Sequence, residues 1–453
     1  MKIIAIAIGR LLAFVGSLLH RGSVTPGSVA LRLCPDLGSR FRLPPIVIAI
    51  TGSSGKGSTS ALIAATLREL GLQVAHNQEG ANMKSGIISM LLRHSTLTGR
   101  IRADAVVAEL DERSCKHVFG FLRPQLVVVT NVTRDQPPRQ RHTDFILSEI
   151  ETALSGDEHL IINGDDPLLM GLVLGSNTSD ATPRRFTSYA IAPTSGLTFD
   201  HQRFDAIDGA YCPICFSRLR YDYYTCESIG AFCCPRGHFE HRQDISAVAI
   251  EPGEAPDGSQ DVLVLSSGQR IRANTRLLFN VQNTLAAYTA LLQLPLSLDQ
   301  AALAEALSKQ QISKKIYSVF EWHGRQVYVL NNKAENASTF NQSMLFAERL
   351  ATPLVLVVGW KEISRRYETD DLAWLYDVNF ELIAGSVTQA ICTGIDADSI
   401  AVRLKYAGIA TDRITVLHAI DRRLSDTLAQ TTGAVVAALN FDHVDPFVAE
   451  LSE

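Results

Sequence analysis

No apolar run in this sequence reaches the roughly 20 residues needed to span a bilayer as a helix. Nor does the sequence carry a surplus of positive charge. Its 42 Lys and Arg are outnumbered by 47 Asp and Glu, for a net charge of -5, which removes the electrostatic footprint of a nucleic-acid binder. Internal repeats and low-complexity segments are lacking too, so solenoid and fibrous architectures drop out. Cysteine is scarce except in one place. Five of the eight lie between Tyr211 and His241, in "YCPICFSRLRYDYYTCESIGAFCCPRGHFEH". A disulfide framework or a metal site could gather thiols in this way, and the two belong to different redox compartments.

What is present is the composition of a globular protein. The 453 residues are 46% hydrophobic and 20% charged, enough for two or three domains of about 150 residues each. At the N-terminus, Ile4, Ile8, Leu11, Leu12, Val15, Leu18 and Leu19 fit one face of a helix. Arg10 interrupts the apolar stretch, and no small-residue cleavage site follows. The segment therefore reads as a packed or membrane-surface amphipathic helix and not as a cleaved signal. In a cytosolic protein the clustered thiols are then metal ligands.

Short β-branched runs alternate with helical patterns: "IVIAIT" (46–51), "AVVAEL" (105–110), "LVVVTN" (126–131) and "HLIIN" (159–163). Strands apolar on both faces and spaced by helices predict a covered parallel sheet. The pattern pauses between about Ser188 and Arg276, an insertion that contains the cysteine block. A second series follows, "QVYVLN" (326–331), "PLVLVVG" (353–359), "QAICTG" (389–394), "ITVL" (414–417) and "GAVVAALN" (433–440), and predicts a smaller α/β domain.

The most informative stretch is "IVIAITGSSGKGSTSALIAATLREL", a buried strand, a Gly-rich turn and a helix opened by Lys56. Amides of such a turn, at the positive end of a helix, cradle phosphates, and the Lys reaches the terminal ones. Gly52, Gly55 and Gly57 allow close backbone approach, with Ser53, Ser54, Ser58 and Thr59 completing the candidate nucleotide loop. It departs from the G-x-x-x-x-G-K-[ST] pattern at Ala49 and Gly57, so a magnesium-binding hydroxyl must come from Ser58 or Thr59, or from elsewhere in the chain.

This shortened loop resembles that of the Mur ligase superfamily, in particular its folylpolyglutamate synthetase branch. Other superfamily landmarks follow in order. Glu109 and Asp111 look like the E-x-D-E carboxylates that position magnesium. "TNVTRDQ" (130–136), "INGDDP" (162–167) and "NVQNTLAA" (280–287) are similar to further motifs, in the last of which Asn283 stands where the family contacts adenine. The lead-in "VTPGSVALRLCPDL" (24–37) and "DLAWLYD" (371–377), similar to D-x-S-W-x-x-D, identify the chain as a member of the MurT family, the Mur-ligase-like subunit of lipid II isoglutaminyl synthase. Where that family has a stretch like "KNPAG", this chain has "NNKAENAST" (331–339).

The resemblance implies an α/β fold: an N-terminal helix and lead-in (1–40), a Mur-ligase-like ATPase domain (41–300) with a zinc ribbon inserted at about 205–245, and a C-terminal α/β domain (310–453). It implies ATP and Mg2+ as cofactors, with Lys56 and Glu109 catalytic and Glu109 and Ser58 on magnesium. The implied reaction amidates the D-glutamate α-carboxylate of lipid II through an acyl phosphate. Ammonia would come from a class I glutamine amidotransferase subunit (GatD-like) in a heterodimer, whose catalytic His Asp371 would help orient; Asp371 as a plain helix cap is the other reading. Cys34, Cys115 and Cys392 read as core residues and not as nucleophiles. The setting implied is cytoplasmic, at or near the inner face of the membrane. An amino-acid ligase of the folylpolyglutamate type and a non-catalytic nucleotide-binding module are the alternatives. In the ribbon, Cys212, Cys215 and Cys234 match three family ligands and Gly237 stands at the fourth. Glycine offers no donor, so His238 is the nearest replacement for a Cys3His zinc site, with Cys226 and Cys233 next and a disulfide as the non-metal alternative.

Overall fold

A computed structural model describes residues 1–18, 23–77, 80–134, 142–174, 184–193, 196–204, 208–226, 228–296, 299–310, 316–332, 336–350, 353–360 and 372–452. Strands β1 (Ile46–Thr51), β2 (Val74–His76), β3 (Ala105–Glu109), β4 (Leu126–Val129), β5 (His159–Asn163) and β6 (Phe186–Ile191) run parallel in the order β2-β3-β1-β4-β5-β6. Every residue of β1 is buried, and its alternate side chains serve two cores. Ile46, Ile48 and Ile50 face one side with the helices Lys56–Glu69 and Leu278–Leu292, whereas Val47 and Ala49 face the other with Ile87, Val118, Ile146 and Leu169. Strand periodicity thus explains why the run reads as continuously apolar.

Beyond β6 the structure departs from the expected pause. Only β7 (Arg220–Cys226) and β8 (Ile229–Cys233) form a separate antiparallel hairpin. β9 (Ile245–Glu251) returns to pair with β6 in parallel, and β10 (Val262–Leu265) and β11 (Arg270–Arg272) extend the sheet antiparallel to nine strands. These edge strands bury only alternate residues, so they lack the continuous apolar signature of the central ones.

The second sheet has the order β12-β13-β17-β14-β15-β16, formed by β12 (Tyr317–Trp322), β13 (Arg325–Asn332), β14 (Leu354–Trp360), β15 (Val387–Gly394), β16 (Ile414–Leu417) and β17 (Ala434–Asn440). All neighbours are parallel except the β12–β13 hairpin. The two domains meet at Asn379, whose amide donates to the Arg203 carbonyl at 2.8 Å, and at Gln342, which accepts from the Phe279 amide at 2.8 Å.

The apolar face of the N-terminal helix Lys2–Leu18 is not the one that packs, contrary to the packed-helix alternative of the sequence reading. Its buried residues are Ala5, Ile6, Gly9 and Ala13, set against the helices Thr25–Leu33 and Lys84–His94. A Cβ at Gly9 would lie 2.6 Å from Leu92 Cδ1. Ile4, Ile8, Leu11, Val15 and Leu18 are exposed instead. Small residues let the helices approach closely, and close approach selected the packed face over bulk.

The lead-in helix is locked in the same way. Gly27 donates its amide to Ser89 Oγ at 2.8 Å, and a Cβ there would stand 1.9 Å from the Ser85 carbonyl oxygen. Gly27→Ala should therefore destabilise the N-terminal domain by at least about 2 kcal/mol, the scale of overpacking against backbone. Urea unfolding of the variant with an unchanged midpoint would refute this packing.

Candidate active site and metal centre

β1 lies where the strand order reverses, between β3 and β4, and open α/β sheets bind ligands outside the carboxyl ends of their strands at such a point. The turn after β1 is held from both sides. Ser54 donates its backbone amide to Asn131 Oδ1 at 3.0 Å, and Asn131 Nδ2 returns a bond to the Ser54 carbonyl at 3.0 Å. Thr130 Oγ1 donates to the same carbonyl at 2.6 Å. Ser53 Oγ donates to the Thr133 carbonyl and accepts from the Thr133 amide, each at 3.0 Å. Gly52 and Gly55 have φ of 125° and 78°, in the left-handed range glycine tolerates. A Cβ would lie 2.4 Å from Thr130 Oγ1 at Gly52 and 2.4 Å from Asn283 Oδ1 at Gly55. The cradle accepts no side chain at either position.

Asn283 thus sits against the loop. Its Oδ1 accepts from Thr59 Oγ1 at 3.2 Å, and its buried Nδ2 has no hydrogen-bond partner among the described residues. Thr59 is buried with its hydroxyl committed to Asn283, and the neighbouring Ser58 is half-buried in the first turn of the helix. Gly57 brings the backbone beside Glu109: a Cβ there would be 3.5 Å from Glu109 Oε2. Glu109 Oε1 also accepts from Asn82 Nδ2 at 3.3 Å.

Lys56 is almost fully buried. Its ammonium donates to the carbonyls of Gly52 and Ser53 and, at 2.8 Å, to Glu112 Oε1. Glu112 escaped the sequence reading, although it is the last residue of the E-x-D-E pattern. Asp111, which the resemblance put on magnesium, is buried, and its Oδ1 accepts from the Arg113 amide at 3.2 Å, capping the next turn. Asn131 was equally overlooked as the loop's main tether, though it lay within "TNVTRDQ".

Thr133 leads from the loop into a cleft of about 620 Å³ between the two domains. Arg134 pairs there with Asp208 at 2.8 Å and with Asp377 at 3.7 Å. Burial raises the Asp377 carboxyl above its ordinary range, against the pull of Arg134. Asp377 ends the helix Ala373–Tyr376, whose Trp374 is anchored against Phe340 and Trp360 with ring centroids 5.3 and 5.0 Å apart. Asp371, Asp135 and Gln136, and Lys333 of the "NNKAENAST" stretch, lie outside the described residues. Asp166 lines the cleft and caps the helix Pro167–Leu174 through the Leu168 amide at 2.9 Å. Its neighbour Asp165 is fully buried. Oδ2 accepts from the Ile191 amide at 2.9 Å, while Oδ1 has no hydrogen-bond partner among the described residues.

The cysteine block closes into one cluster. The donor atoms of Cys212, Cys215, Cys234 and His238 all lie within 4.8 Å of one another. His238 Nδ1 is 3.6 Å from both Cys212 Sγ and Cys234 Sγ, and Cys215 Sγ is 3.6 Å from Cys234 Sγ. A tetrahedron with Zn–S of about 2.3 Å has edges of about 3.8 Å, so the donor set fits zinc. The sulfurs are also far beyond the roughly 2.05 Å of a disulfide. Hydrogen bonds from Ser217 hold the Cys215 thiol down to about 6. Cys226 and Cys233 fall outside the set, Cys226 being packed in the opposite core. The remaining cysteines, Cys34, Cys115 and Cys392, are buried, and burial pushes the Cys115 and Cys392 thiols up to about 12.

Residues 50–182 match the Mur ligase middle domain family, and residues 334–441 match the MurT ligase C-terminal family. Over 451 residues the chain is 28% identical to the lipid II isoglutaminyl synthase (glutamine-hydrolyzing) subunit MurT of Staphylococcus aureus strain COL, covering 95% of this chain and 93% of that one. The Streptococcus pneumoniae R6 subunit of the same name is 27% identical over 420 residues, 90% and 87% of the two chains. Among solved structures, a pseudomurein peptide ligase type C from Methanothermus fervidus superposes with a TM-score of 0.68 at 15% identity, covering 92% of this chain and 80% of that chain. MurF ligase from Thermotoga maritima, solved in complex with ADP, gives 0.59 at 15% identity, covering 93% and 84%. These structures share the fold.

The environment of Asp165 generates a measurable pH dependence. Burial raises its carboxyl from 3.8 to about 7, so the native protein keeps a proton that the unfolded chain has released. The resulting stabilisation is complete below about pH 4, declines as the pH rises and is gone above about pH 7, a span on the order of 4 kcal/mol. Asp165→Asn should remove that slope and leave a flatter profile in urea unfolding between pH 4 and 8. Identical profiles for the two proteins would contradict it.

Proposed function

Because the chain is a MurT-type Mur ligase family protein and an ATP-dependent ligase, we propose that it amidates the D-glutamate α-carboxylate of the lipid II stem peptide to D-isoglutamine. The observation that carries this reading is the order of its parts. A Mur ligase phosphate loop opens through Thr133 onto an interdomain cleft whose far wall belongs to the MurT-type domain. The carboxylate oxygen takes the γ-phosphoryl group of ATP, giving an acyl phosphate and ADP. Ammonia then attacks the acyl carbon, the C–N bond forms, phosphate leaves, and the extra proton on nitrogen passes to solvent.

Phosphoryl transfer of this kind depends on positioning and charge neutralisation. The Gly52–Gly55 turn would bind the phosphates through amides and close backbone approach. Lys56 would exchange part of its contact with the Gly52 and Ser53 carbonyls for phosphate oxygens, with Glu112 holding the ammonium in register. Glu109 and Ser58 would hold magnesium, which supplies further charge neutralisation when bound. The S. aureus relative is named a glutamine-hydrolyzing subunit. In this chain Cys34, Cys115 and Cys392 are buried, and Cys115 and Cys392 are held as thiols. Ammonia would therefore reach the cleft from a separate class I glutaminase subunit bound at the C-terminal domain, with Asp371 orienting that subunit's catalytic His.

Amidation assayed with the partner subunit separates these roles. Lys56→Ala should lower the rate about 100-fold or more with either glutamine or ammonium as nitrogen source. Asp371→Asn should lose glutamine-dependent amidation while retaining most of the ammonium-dependent rate. Wild-type turnover by Lys56→Ala would sink the site, and equal losses in Asp371→Asn with both nitrogen sources would sink the partner role.

For the ribbon, Cys212, Cys215, Cys234 and His238 would hold one structural zinc. Elemental analysis should find about one zinc per chain, and Cys212→Ser or His238→Ala should release most of it. A metal-free native protein whose three cysteines titrate with thiol reagents would refute the site.

A further inference from the structure

Among the described residues, the outward face of the helix Lys2–Leu18 is left exposed. At 100° per residue, Ile3, Phe14, Ala7, Leu18, Leu11, Ile4, Val15, Ile8 and Met1 fall consecutively around roughly 160° of its circumference. All nine are apolar and all are exposed, with Leu11, Phe14 and Leu18 more than 60% accessible. An apolar arc of this extent, without one polar interruption, marks an interaction surface. The helix already has its tertiary contacts through Ala5, Ile6, Gly9 and Ala13, so the arc cannot be the face that packs it.

Charge identifies the occupant. The sequence holds Lys2, Arg10, Arg21 and Arg32 before its first acidic residue, Asp36, and Asp36 is paired with Arg40. Arg10 borders the arc, and Arg32 is exposed on the adjoining helix. A bulky apolar arc within a stretch that is basic and free of carboxylates is complementary to an anionic bilayer surface. No helix among the described residues is long and apolar enough to cross a membrane. We propose that the helix Lys2–Leu18 docks this protein flat on an anionic lipid surface, with the arc from Ile3 to Ile8 immersed among the acyl chains and Arg10 and Arg32 at the headgroups. The proposal draws on the lipid II reading for one point, the reason for the enzyme to sit at a bilayer.

Vesicle flotation tests it with lipids free of lipid II, so its outcome is separate from that of the amidation assay. The full chain, alone and with its amidotransferase partner, should float with vesicles of phosphatidylglycerol and phosphatidylcholine in equal parts, and much less with phosphatidylcholine alone. The double variant Leu11→Gln and Phe14→Gln should cut flotation by about tenfold. Arg10→Glu with Arg32→Glu should abolish the preference for the anionic lipid. Neither pair should shift the thermal midpoint, because these side chains make no core contact. Wild-type protein remaining in the aqueous fraction would overturn the proposal. So would a wild-type dimer that the Leu11→Gln, Phe14→Gln variant converts to monomer, since a second copy would then be the occupant.

Discussion

The Ser54 backbone amide gives a hydrogen bond to Asn131 Oδ1, and Asn131 Nδ2 returns one to the Ser54 carbonyl. This reciprocal pair binds the turn after β1 to the end of β4, and the geometry of the site depends on it. A Gly-rich turn alone is entropically costly to order. Here Thr130, Asn131 and Thr133 on one side and Asn283 on the other leave it a single seat. The amides are therefore fixed before a ligand arrives, so the ordering cost falls on folding and not on binding. Each tether is a short polar side chain at the end of a strand or within a buried helix, and all are positioned by the same parallel sheet.

The same arrangement settles how a lysine can be buried at the loop. An ammonium withdrawn from water needs partners of opposite polarity. Lys56 has Glu112 and two loop carbonyls. Glu112 can serve because Asp111 caps the turn after β3 and so aims the next residue inward. Glu109, two positions before Asp111, is left facing the helix start at Gly57. Three carboxylates within four residues thus have three distinct duties, set by backbone geometry and not by residue type.

How much of this was legible depended on the period of the signal. β1, β5 and β16 coincide with "IVIAIT", "HLIIN" and "ITVL", because strands buried on both faces are continuously apolar. β10 and β11 bury alternate residues and were read as part of an irregular insertion. The phosphate loop was readable because glycine and lysine have few other reasons to adjoin a strand in that order. Glu112 and Asn131 were not, since a carboxylate or amide shows its role only when the sheet brings distant strand ends together. The N-terminal helix was legible in part, its apolar face found and its packed face not. Hydrophobic periodicity marks the apolar face, but close helix packing there used Ala5, Gly9 and Ala13, which periodicity weights lightly.

The cysteine cluster brings four donor atoms together although Gly237 stands where the family resemblance implies a fourth cysteine. Gly237 adopts φ of 72°, and its amide donates to the Cys234 carbonyl at 2.9 Å, closing the turn that a knuckle requires. The Arg236 amide donates to Cys234 Sγ at 3.4 Å. These features belong to the backbone and do not require a cysteine at 237. A left-handed residue there redirects the chain, and the side chain one position later is swung toward the same corner. The imidazole is longer than a thiol and carries its donor farther from the backbone, so His238 Nδ1 comes to 3.6 Å from the sulfurs of Cys212 and Cys234, with its donor within 4.8 Å of the Cys215 sulfur. A fourth donor at 238 in place of 237 would thus be accommodated because the turn is built by main-chain bonds, and because the imidazole is long enough to span the displacement.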